Sequence, residues 1–342
     1  MSSKQIKRIL SPLAGFLPVE KLLPPKKHRL ILPFWHAVSD TPPPHLSQLY
    51  CVPTISGFER DLDFFLKNYK SSSIEDVHRH ATNTGKPNEN FFFPTFDDGL
   101  AECYQVIAPI LKKKGIQAAF FINPSFVDNK ALFHRHKASL ILNYINGQQS
   151  KPSEIKEAGQ LLIKQAHNRN LHQFLHHSNY ADQQLLDGIA TVLGINFNHY
   201  LAHNQPYMTL SQIKKLQEDG FLIGAHGMDH REFYLSSEDD IMTQISSSME
   251  FLIQEINPPI KWFAFPFTDF KVPDSVFEKA RSANLWDLSF GTAGIKDETI
   301  QNHLQRIPME SGKISEGKKV VRTEFLWYFL KTIFAKDKVR RS

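Results

Sequence analysis

The chain has 342 residues, of which 41% are hydrophobic and 22% charged, as expected for a globular protein with one large α/β domain or two small ones. No run approaches the roughly 20 apolar residues that span a bilayer, and two cysteines, Cys51 and Cys103, exclude a disulfide framework. The net charge of +5 comes from the ends, because residues 1–29 hold seven basic side chains against one acidic, and residues 313–342 hold nine against three. The acidic body between them argues against a nucleic-acid groove, whereas the basic ends suit an anionic surface.

The first third of the chain alternates between apolar runs and amphipathic segments. Strands are predicted at 29–36, 91–96 and 116–122, and helices at 56–69 and 101–114. The order βαβαβ predicts a parallel sheet or barrel.

Residues 128–205 break this alternation, because they are polar and rich in Gln, Asn and His. We expect a helical insertion there, with helices at 131–146, 153–165 and 182–193. Its histidines favour a solvated helical face over a metal site, since no carboxylate or cysteine accompanies them at ligand spacing. The alternation then resumes, with helices predicted at 209–219, 237–256 and 274–283 and strands at 221–225, 261–265 and 286–290.

Two adjacent aspartates, Asp97 and Asp98, follow directly on a strand rich in phenylalanine. Like charges this close raise one pKa and attract a cation or a proton. Helix capping is the alternative for one of them, because Asp is a common N-cap. The rest of the chain favours a chemical role.

A second polar motif, His226 and His230, follows the strand at 221–225. This spacing can place both imidazoles on one face of a turn and recurs in metal sites. Because the carboxyl ends of parallel strands converge on one site, we expect the histidines to lie near the aspartate pair. Two histidines and one aspartate suit Zn²⁺ or another divalent cation, which leaves the second aspartate as a general base. The pattern predicts metal-assisted hydrolysis of an acyl group.

Together these motifs resemble those of the polysaccharide deacetylases, carbohydrate esterase family 4. The stretch 95–99, Thr-Phe-Asp-Asp-Gly, and the two histidines carry the resemblance. The early strand at 34–40, the helix at 58–65, the strand at 115–122 and the segment 263–267 are also similar to family motifs. The similarity covers residues 29–127 and 206–309.

The resemblance implies an α/β fold, an incomplete (β/α)7 TIM-like barrel with a helical insertion. It implies that Asp97 is the base that activates a metal-bound water and that Asp98, His226 and His230 hold the metal. The implied reaction removes N-acetyl groups from a sugar or glycan intermediate.

Two departures from the family pattern concern the catalytic residues. At the position of Ala264, many members have an arginine, and this arginine orients the base. The late motif, which usually supplies a histidine as general acid, here reads Gln-Arg-Ile-Pro over 305–308, with His303 just before it. We expect His303 and Arg306 to be catalytic residues.

The general acid stays open at this point. Asp269 and the metal-bound water itself are alternatives to His303. His36, at the end of the first strand, either enters the site or is structural, and Glu310 has no predicted role.

Three regions are predicted: a basic segment at 1–28, a catalytic domain at 29–312 and a basic amphipathic helix at 313–342. The last helix either docks on the core or lies in the plane of a membrane as an anchor. With no clear secretory signal, we expect a cytoplasmic protein, peripheral at the inner membrane. Its expected partners are an acetylated sugar or glycan and an anionic membrane, with no nucleic acid.

Two other functions are compatible with these residues. A catalytically inactive glycan-binding protein of the same fold would account for Ala264. An amidohydrolase acting on a non-sugar amide would use the same core chemistry.

Overall fold

The computed structural model describes Leu10, Pro12 and residues 28–82, 89–147, 170–310, 316–339 and 341. Most of the predicted basic segment at 1–28 and the predicted helix at 153–165 lie outside the described residues.

The described residues form eleven short parallel strands in two sheets. The strands are β1 Leu30–Ile31, β2 Pro33–Trp35, β3 Lys70–Ser71, β4 Phe91–Phe92, β5 Thr95–Phe96, β6 Ala119–Ile122, β7 Leu222–Ala225, β8 Trp262–Ala264, β9 Leu288–Gly291, β10 His303–Gln305 and β11 Ile307–Pro308. Eight of them form the main sheet in the order β10-β9-β8-β7-β6-β5-β2-β11. A small sheet, β1-β4-β3, extends one end of this sheet, since β1 and β4 lead directly into β2 and β5.

The segment 303–308 closes the main sheet into a barrel. Its first part, β10, pairs with β9, and its second part, β11, pairs with β2 at the opposite edge. Only Arg306 separates the two parts; its backbone N–H donates to Gly291 O at 3.1 Å, and the next N–H donates to Leu32 O at 2.8 Å. The predicted α/β barrel is confirmed, with the seventh strand position divided into two strands.

Helices cover the outside of the barrel. They are α1 Ile55–Asn68, α2 Ile74–Thr82, α3 Ala108–Lys114, α4 His134–Gly147, α5 Leu171–His177, α6 Gln183–Val192, α7 Phe197–Asn204, α8 Leu210–Glu218, α9 Glu238–Glu255, α10 Asp274–Ser282 and α11 Gly317–Ile333. A π-helical turn, Cys103–Ile107, leads into α3. Local signals set the ends: Ser237 caps α9, Thr209 forms a capping box on α8, and Gly115 ends α3 with a φ of 66°.

Strand residues alternate between two apolar layers. Phe93, Phe121 and Phe290 belong to the cluster inside the barrel. Phe96, Phe120 and similar residues pack outward against the helices. A side chain at the position after Phe96 therefore points inward, toward the end of the barrel interior.

The insertion has its own small core, formed by residues of α4 to α7. The predicted helices at 131–146 and 182–193 correspond to α4 and α6. Helix α5 exposes His172, His176 and His177. This exposure agrees with the solvated helical face expected from the sequence.

The C-terminal helix α11 packs one side against the core through Val320, Val321, Phe325 and Tyr328. Its first backbone N–H, at Gly317, donates to the buried carboxylate of Asp61 on α1 at 2.7 Å. Among the residues that the structure describes, no helix is long and apolar enough to cross a bilayer.

Candidate active site

The ends of β5 and β7 bring two aspartates and two histidines together. Asp97 and Asp98 follow β5, where the backbone turns sharply with φ values of 74° at Asp98 and 65° at Gly99. A positive φ is unfavourable for Asp, and such strain is common where a backbone must aim a side chain. His226 Nε2 lies 3.6 Å from Asp98 Oδ1, and His230 Nε2 lies 3.1 Å from the same oxygen.

Asp98, His226 and His230 form one of two groups of possible metal ligands among the described residues, the other being Asp269, Glu298 and His303. We call the first group the candidate metal cluster; its ligand atoms lie within 4.8 Å of one another. The Nδ1–H of His226 donates to Ala264 O at 2.8 Å, which leaves the lone pair of Nε2 facing Asp98. Burial lowers the pKa of His226 to about 4, although Asp97 opposes that shift, so the imidazole is neutral at pH 7.

The donor set of the candidate metal cluster fits a divalent cation. Asp98 Oδ1 is buried and accepts no well-aligned hydrogen bond from the described residues. Buried polar atoms without a partner are rare and indicate a missing ion or water. One carboxylate and two imidazoles are ligands that suit Zn²⁺ and leave positions open for water or substrate.

Asp97 forms a bidentate ion pair with Arg306 inside the barrel. Nη1 donates to Oδ1 at 2.6 Å and Nη2 donates to Oδ2 at 2.8 Å. Burial would raise the pKa of Asp97, but the Arg306 guanidinium and His226 hold it below its usual value. Asp97 therefore stays an anion at neutral pH.

The guanidinium of Arg306 is itself fixed on every side. It is fully buried and also donates to Thr95 Oγ1 at 3.1 Å and to Gly291 O at 3.3 Å. Its central carbon lies 4.5 Å from the ring centre of Phe34 and 5.2 Å from that of Phe121. These contacts give the Asp97 carboxylate a rigid partner.

Arg306 thus supplies the contact that the family pattern assigns to an arginine at the position of Ala264. The arginine comes from the strand segment that closes the barrel instead of from the third motif. Ala264 has a different part in the site, because its carbonyl orients His226.

His36 lies beside Asp97 at the ends of neighbouring strands, since the Asp97 N–H donates to Trp35 O at 3.0 Å. Its Nδ1 is hydrogen-bonded to Glu310 Oε2, and its ring stacks on Tyr50 with centroids 4.8 Å apart. Burial would lower the pKa of His36, but Glu310 and the two aspartates raise it to about 9. His36 is therefore a cation at neutral pH, and Glu310 has a role that the sequence did not reveal.

The structure does not bring His303 or Asp269 into this group of residues. His303 shares the outward face of the sheet with Ser289, to which it is hydrogen-bonded at 2.8 Å, and its ring packs on Phe265 and Phe277. Its Nε2 lies 3.0 Å from Asp269 Oδ2. The two residues form a separate cluster behind the barrel wall.

Aromatic side chains cover the candidate metal cluster. The ring of Phe133 lies 4.5 Å from that of His230, and the ring of Phe267 lies 4.6 Å from it. The adjacent His134 pairs with Glu232 at 3.1 Å, which ties the start of α4 to the loop after His230. The insertion therefore forms one wall of the site.

The strand ends of this parallel barrel bring together an aspartate pair, two histidines and a buried arginine. This arrangement is typical of barrel enzymes that catalyse hydrolysis. The sequence profile described as "Polysaccharide deacetylase" matches residues 84–285, which is more than half of the chain. The chain therefore belongs to the polysaccharide deacetylase family, and the predicted enzyme class, hydrolases of N-acetyl amide bonds, is confirmed. His36, Arg306 and Glu310 lie outside the matched residues.

Solved structures agree on the fold. The Streptococcus pyogenes deacetylase PplD, in complex with acetate, superposes with a TM-score of 0.53 at 16% identity, over 84% of this chain and 95% of that one. IcaB from Ammonifex degensii gives a TM-score of 0.52 at 13% identity, over 86% of this chain and 97% of that one. No curated protein matches the sequence significantly.

Proposed function

We propose that this protein is a metal-dependent deacetylase that removes N-acetyl groups from a sugar or glycan intermediate. The observation that carries the proposal is the division of labour between the two aspartates: Arg306 holds Asp97, while Asp98 faces His226 and His230. This arrangement supports Asp98 as the ligand and Asp97, held ionised by Arg306, as the base.

Asp98, His226 and His230 would hold a divalent cation, with Zn²⁺ as the best match to these ligands. When bound, the cation supplies Lewis acidity, which acidifies water and polarises the acetyl carbonyl. Asp97 accepts the proton of the attacking water as general base. Arg306 keeps that carboxylate ionised and fixes its direction.

His36 is the proposed proton donor for the leaving amine. Water adds its oxygen to the carbonyl carbon, its proton passes to Asp97, and the C–N bond breaks as His36 protonates the nitrogen, which yields acetate and a free amine. The position of His36 beside Asp97 and its protonated state support this role, whereas the buried contacts of His303 do not.

The test is acetate release from N-acetylated oligosaccharides by the purified, Zn²⁺-loaded protein. We expect turnover by the natural protein and loss of at least ~100-fold in the Asp97→Asn variant, which keeps the size of the side chain but cannot act as a base. Asp229→Asn, which alters a half-buried ion pair with Arg231, is the matched control. Absence of acetate release from every acetylated sugar, with Zn²⁺ bound, would refute the proposal.

The same assay separates the two alternative functions. A non-catalytic glycan-binding protein would bind oligosaccharide equally well with and without Asp97, and the contact of Arg306 with Asp97 removes the main support for that alternative. An amidohydrolase would release an acid from non-sugar amides but not from acetylated sugars.

The end of α11 supports a further proposal, peripheral binding to an anionic membrane. Phe329, Ile333 and Phe334 lie close together in sequence at the end of α11 and are 57%, 61% and 69% exposed. Lys336 and Lys338 follow and are exposed. An apolar patch next to cations suits an anionic lipid surface, and free Cys51 and Cys103 suit a cytoplasmic location.

Co-sedimentation with vesicles of phosphatidylglycerol and phosphatidylcholine tests the membrane proposal. We expect binding by the natural protein and loss of binding when Phe329, Ile333 and Phe334 are replaced by serine. Leu235→Ser, which alters a 62%-exposed apolar side chain elsewhere, is the control. Equal sedimentation of all three proteins would exclude this patch as the membrane contact.

A further inference from the structure

We propose that Arg341, near the C-terminus, is a positioning residue for the proposed reaction: through Asp269 it fixes the strand ends that hold Arg306 against Asp97. The inference rests on the proposed function for its kinetic consequence. The structural coupling can be measured without turnover.

Arg341 lies in a buried cluster behind the barrel wall, which we call the rear cluster: Asp269, Glu298, His303, Gln305 and Arg341. The side chain of Arg341 is 2% exposed. Its Nη2 donates to Asp269 Oδ2 at 2.7 Å and to Glu298 Oε2 at 2.8 Å, and its Nη1 donates to Glu298 Oε1 at 2.6 Å. One guanidinium therefore bridges the Asp269 and Glu298 carboxylates, which otherwise would repel each other.

The route by which Arg341 reaches this cluster is defined by backbone contacts. Asp297 N–H donates to Asp337 O at 2.8 Å, and Val339 N–H donates to Asp297 O at 2.9 Å. Val339 is buried. The tail is thus held along the segment before Glu298, and this contact delivers Arg341 to the rear cluster.

Asp269 connects the rear cluster to the active site. Its Oδ1 accepts from Thr292 N–H at 3.1 Å, and its Oδ2 accepts from Gln305 Nε2 at 2.7 Å. Thr292 follows Gly291, and Gln305 precedes Arg306. Asp269 therefore ties together the two strand ends that present Gly291 O and the Arg306 side chain.

Gly291 shows how close this packing is. A Cβ at this position would collide with the carboxylate of Asp269, so the carboxylate fills the space where a side chain would stand. On the other side of the strand, Gly291 O accepts from both the backbone N–H and the Nε–H of Arg306. A shift of Asp269 is therefore transmitted through Gly291 to Arg306, the partner of Asp97.

Loss of the Arg341 side chain should therefore lower kcat without changing the binding of substrate or Zn²⁺. Replacing Arg341 by methionine leaves two carboxylates facing each other, and we expect Asp269 to move and the contact of Arg306 with Asp97 to loosen. Misplacement of a catalytic group by about 1 Å costs up to ~100-fold in rate. The candidate metal cluster is untouched, so Zn²⁺ affinity and KM stay as they are.

The experiment compares Arg341→Met with Arg281→Met, which removes the same charge from an exposed position on α10. For Arg341→Met we expect kcat to fall about 10- to 100-fold with KM and Zn²⁺ affinity within twofold, and methylguanidinium to restore part of the rate. The control keeps the natural kcat. A kcat within twofold of the natural value in folded Arg341→Met would overturn the proposal.

A second measurement uses the full chain labelled with ¹⁵N-arginine and needs no substrate. The buried Nε–H of Arg306, assigned with Arg306→Lys, should exchange with solvent at least about tenfold faster in Arg341→Met. Unchanged exchange refutes the coupling even where the natural protein shows no turnover. If Arg341→Met does not fold, Arg341→Lys is used instead, because lysine keeps the charge but cannot bridge the two carboxylates. A lower kcat together with faster exchange supports the proposal. Natural values of both kcat and exchange overturn it.

Discussion

Arg306 and Asp97 are 209 residues apart in the chain and are joined by two hydrogen bonds of 2.6 and 2.8 Å inside the barrel. Both side chains are almost fully buried. The guanidinium also contacts two phenylalanine rings, and removal of either partner would leave the other as an uncompensated buried charge. This pairing makes the protonation state of Asp97, the proposed base, depend on the strand segment that closes the barrel.

Arg306→Lys should lower kcat by at least ~100-fold, because an ammonium cannot reproduce the planar, two-point contact with the carboxylate. Zn²⁺ affinity should stay within threefold, since no ligand is altered. Steady-state kinetics and calorimetric titration measure the two quantities. Arg231→Lys, which alters an arginine paired with Asp229 near the site, is the control; natural kcat in Arg306→Lys would contradict the assignment.

Glu310→Gln should move the basic limb of the pH–rate profile to lower pH by about 1–3 units. The proposed reaction needs protonated His36, which loses its proton as the pH rises through about 9. A bound cation would move this limb to lower pH by repulsion. Without the Glu310 carboxylate, burial dominates and the pKa of His36 falls. Profiles of kcat/KM between pH 5.5 and 10 would show the shift.

The control for this change is Glu255→Gln, which affects an exposed glutamate paired with Lys214. Its profile should match that of the natural protein. Identical profiles for Glu310→Gln and the natural protein would remove His36 as the proton donor.

Asp98→Asn should abolish the stabilisation by Zn²⁺, whereas Asp97→Asn should keep it, because only Asp98 faces both imidazoles. Zn²⁺ at 100 times its Kd adds about 2.7 kcal/mol to the free energy of unfolding, which thermal denaturation detects as a rise in Tm. A chelator should remove both this rise and the activity. Equal responses of the two variants would contradict the division of roles.

Asp61→Asn should stabilise the protein above pH 6. Burial raises the pKa of Asp61 from 3.8 to about 6, although Gly317 N–H opposes the shift, so the unfolded chain releases this proton first as the pH rises. Stability is therefore lost between about pH 4 and pH 6, by about 2–3 kcal/mol. Asparagine keeps the acceptor for Gly317 without the charge.

Thermal denaturation at pH 4 and pH 8 checks this expectation: Asp61→Asn should match the natural protein at pH 4 and exceed its Tm at pH 8. Asp63→Asn on the exposed side of α1 should show neither effect. A lower Tm at pH 8 for Asp61→Asn would show that the charge itself stabilises α11.

The parts of the structure that depend on local signals were predictable. Helix α9 was expected at 237–256 and spans Glu238–Glu255, because Ser237 caps it and its apolar residues recur at helical spacing. The aspartate pair and His226-xxx-His230 were expected to meet because both follow strands, and parallel strands end at one edge. The structure places Asp98, His226 and His230 within ligand distance of one another.

The rest depends on pairings that no local pattern encodes. Strands β10 and β11 have three and two residues, too few for a periodic signal, and they pair with opposite edges of the sheet. The contacts of Arg306 with Asp97 and of Glu310 with His36 follow from that closure. His303 has the residue type of a general acid, but the alternation of β10 turns its ring outward, toward α10.

The split strand at 303–308 also orders events as the polypeptide emerges from the ribosome. All three residues of the candidate metal cluster are synthesised before residue 231, whereas Arg306 and Glu310 come more than 70 residues later. The proposed cation ligands at the ends of β5 and β7 are therefore all present in the nascent chain while the proposed base, Asp97, still lacks its arginine and His36 still lacks its glutamate. Under the proposed roles, the set of cation ligands is complete in the chain before β11 pairs with β2, and that pairing is required for hydrolysis.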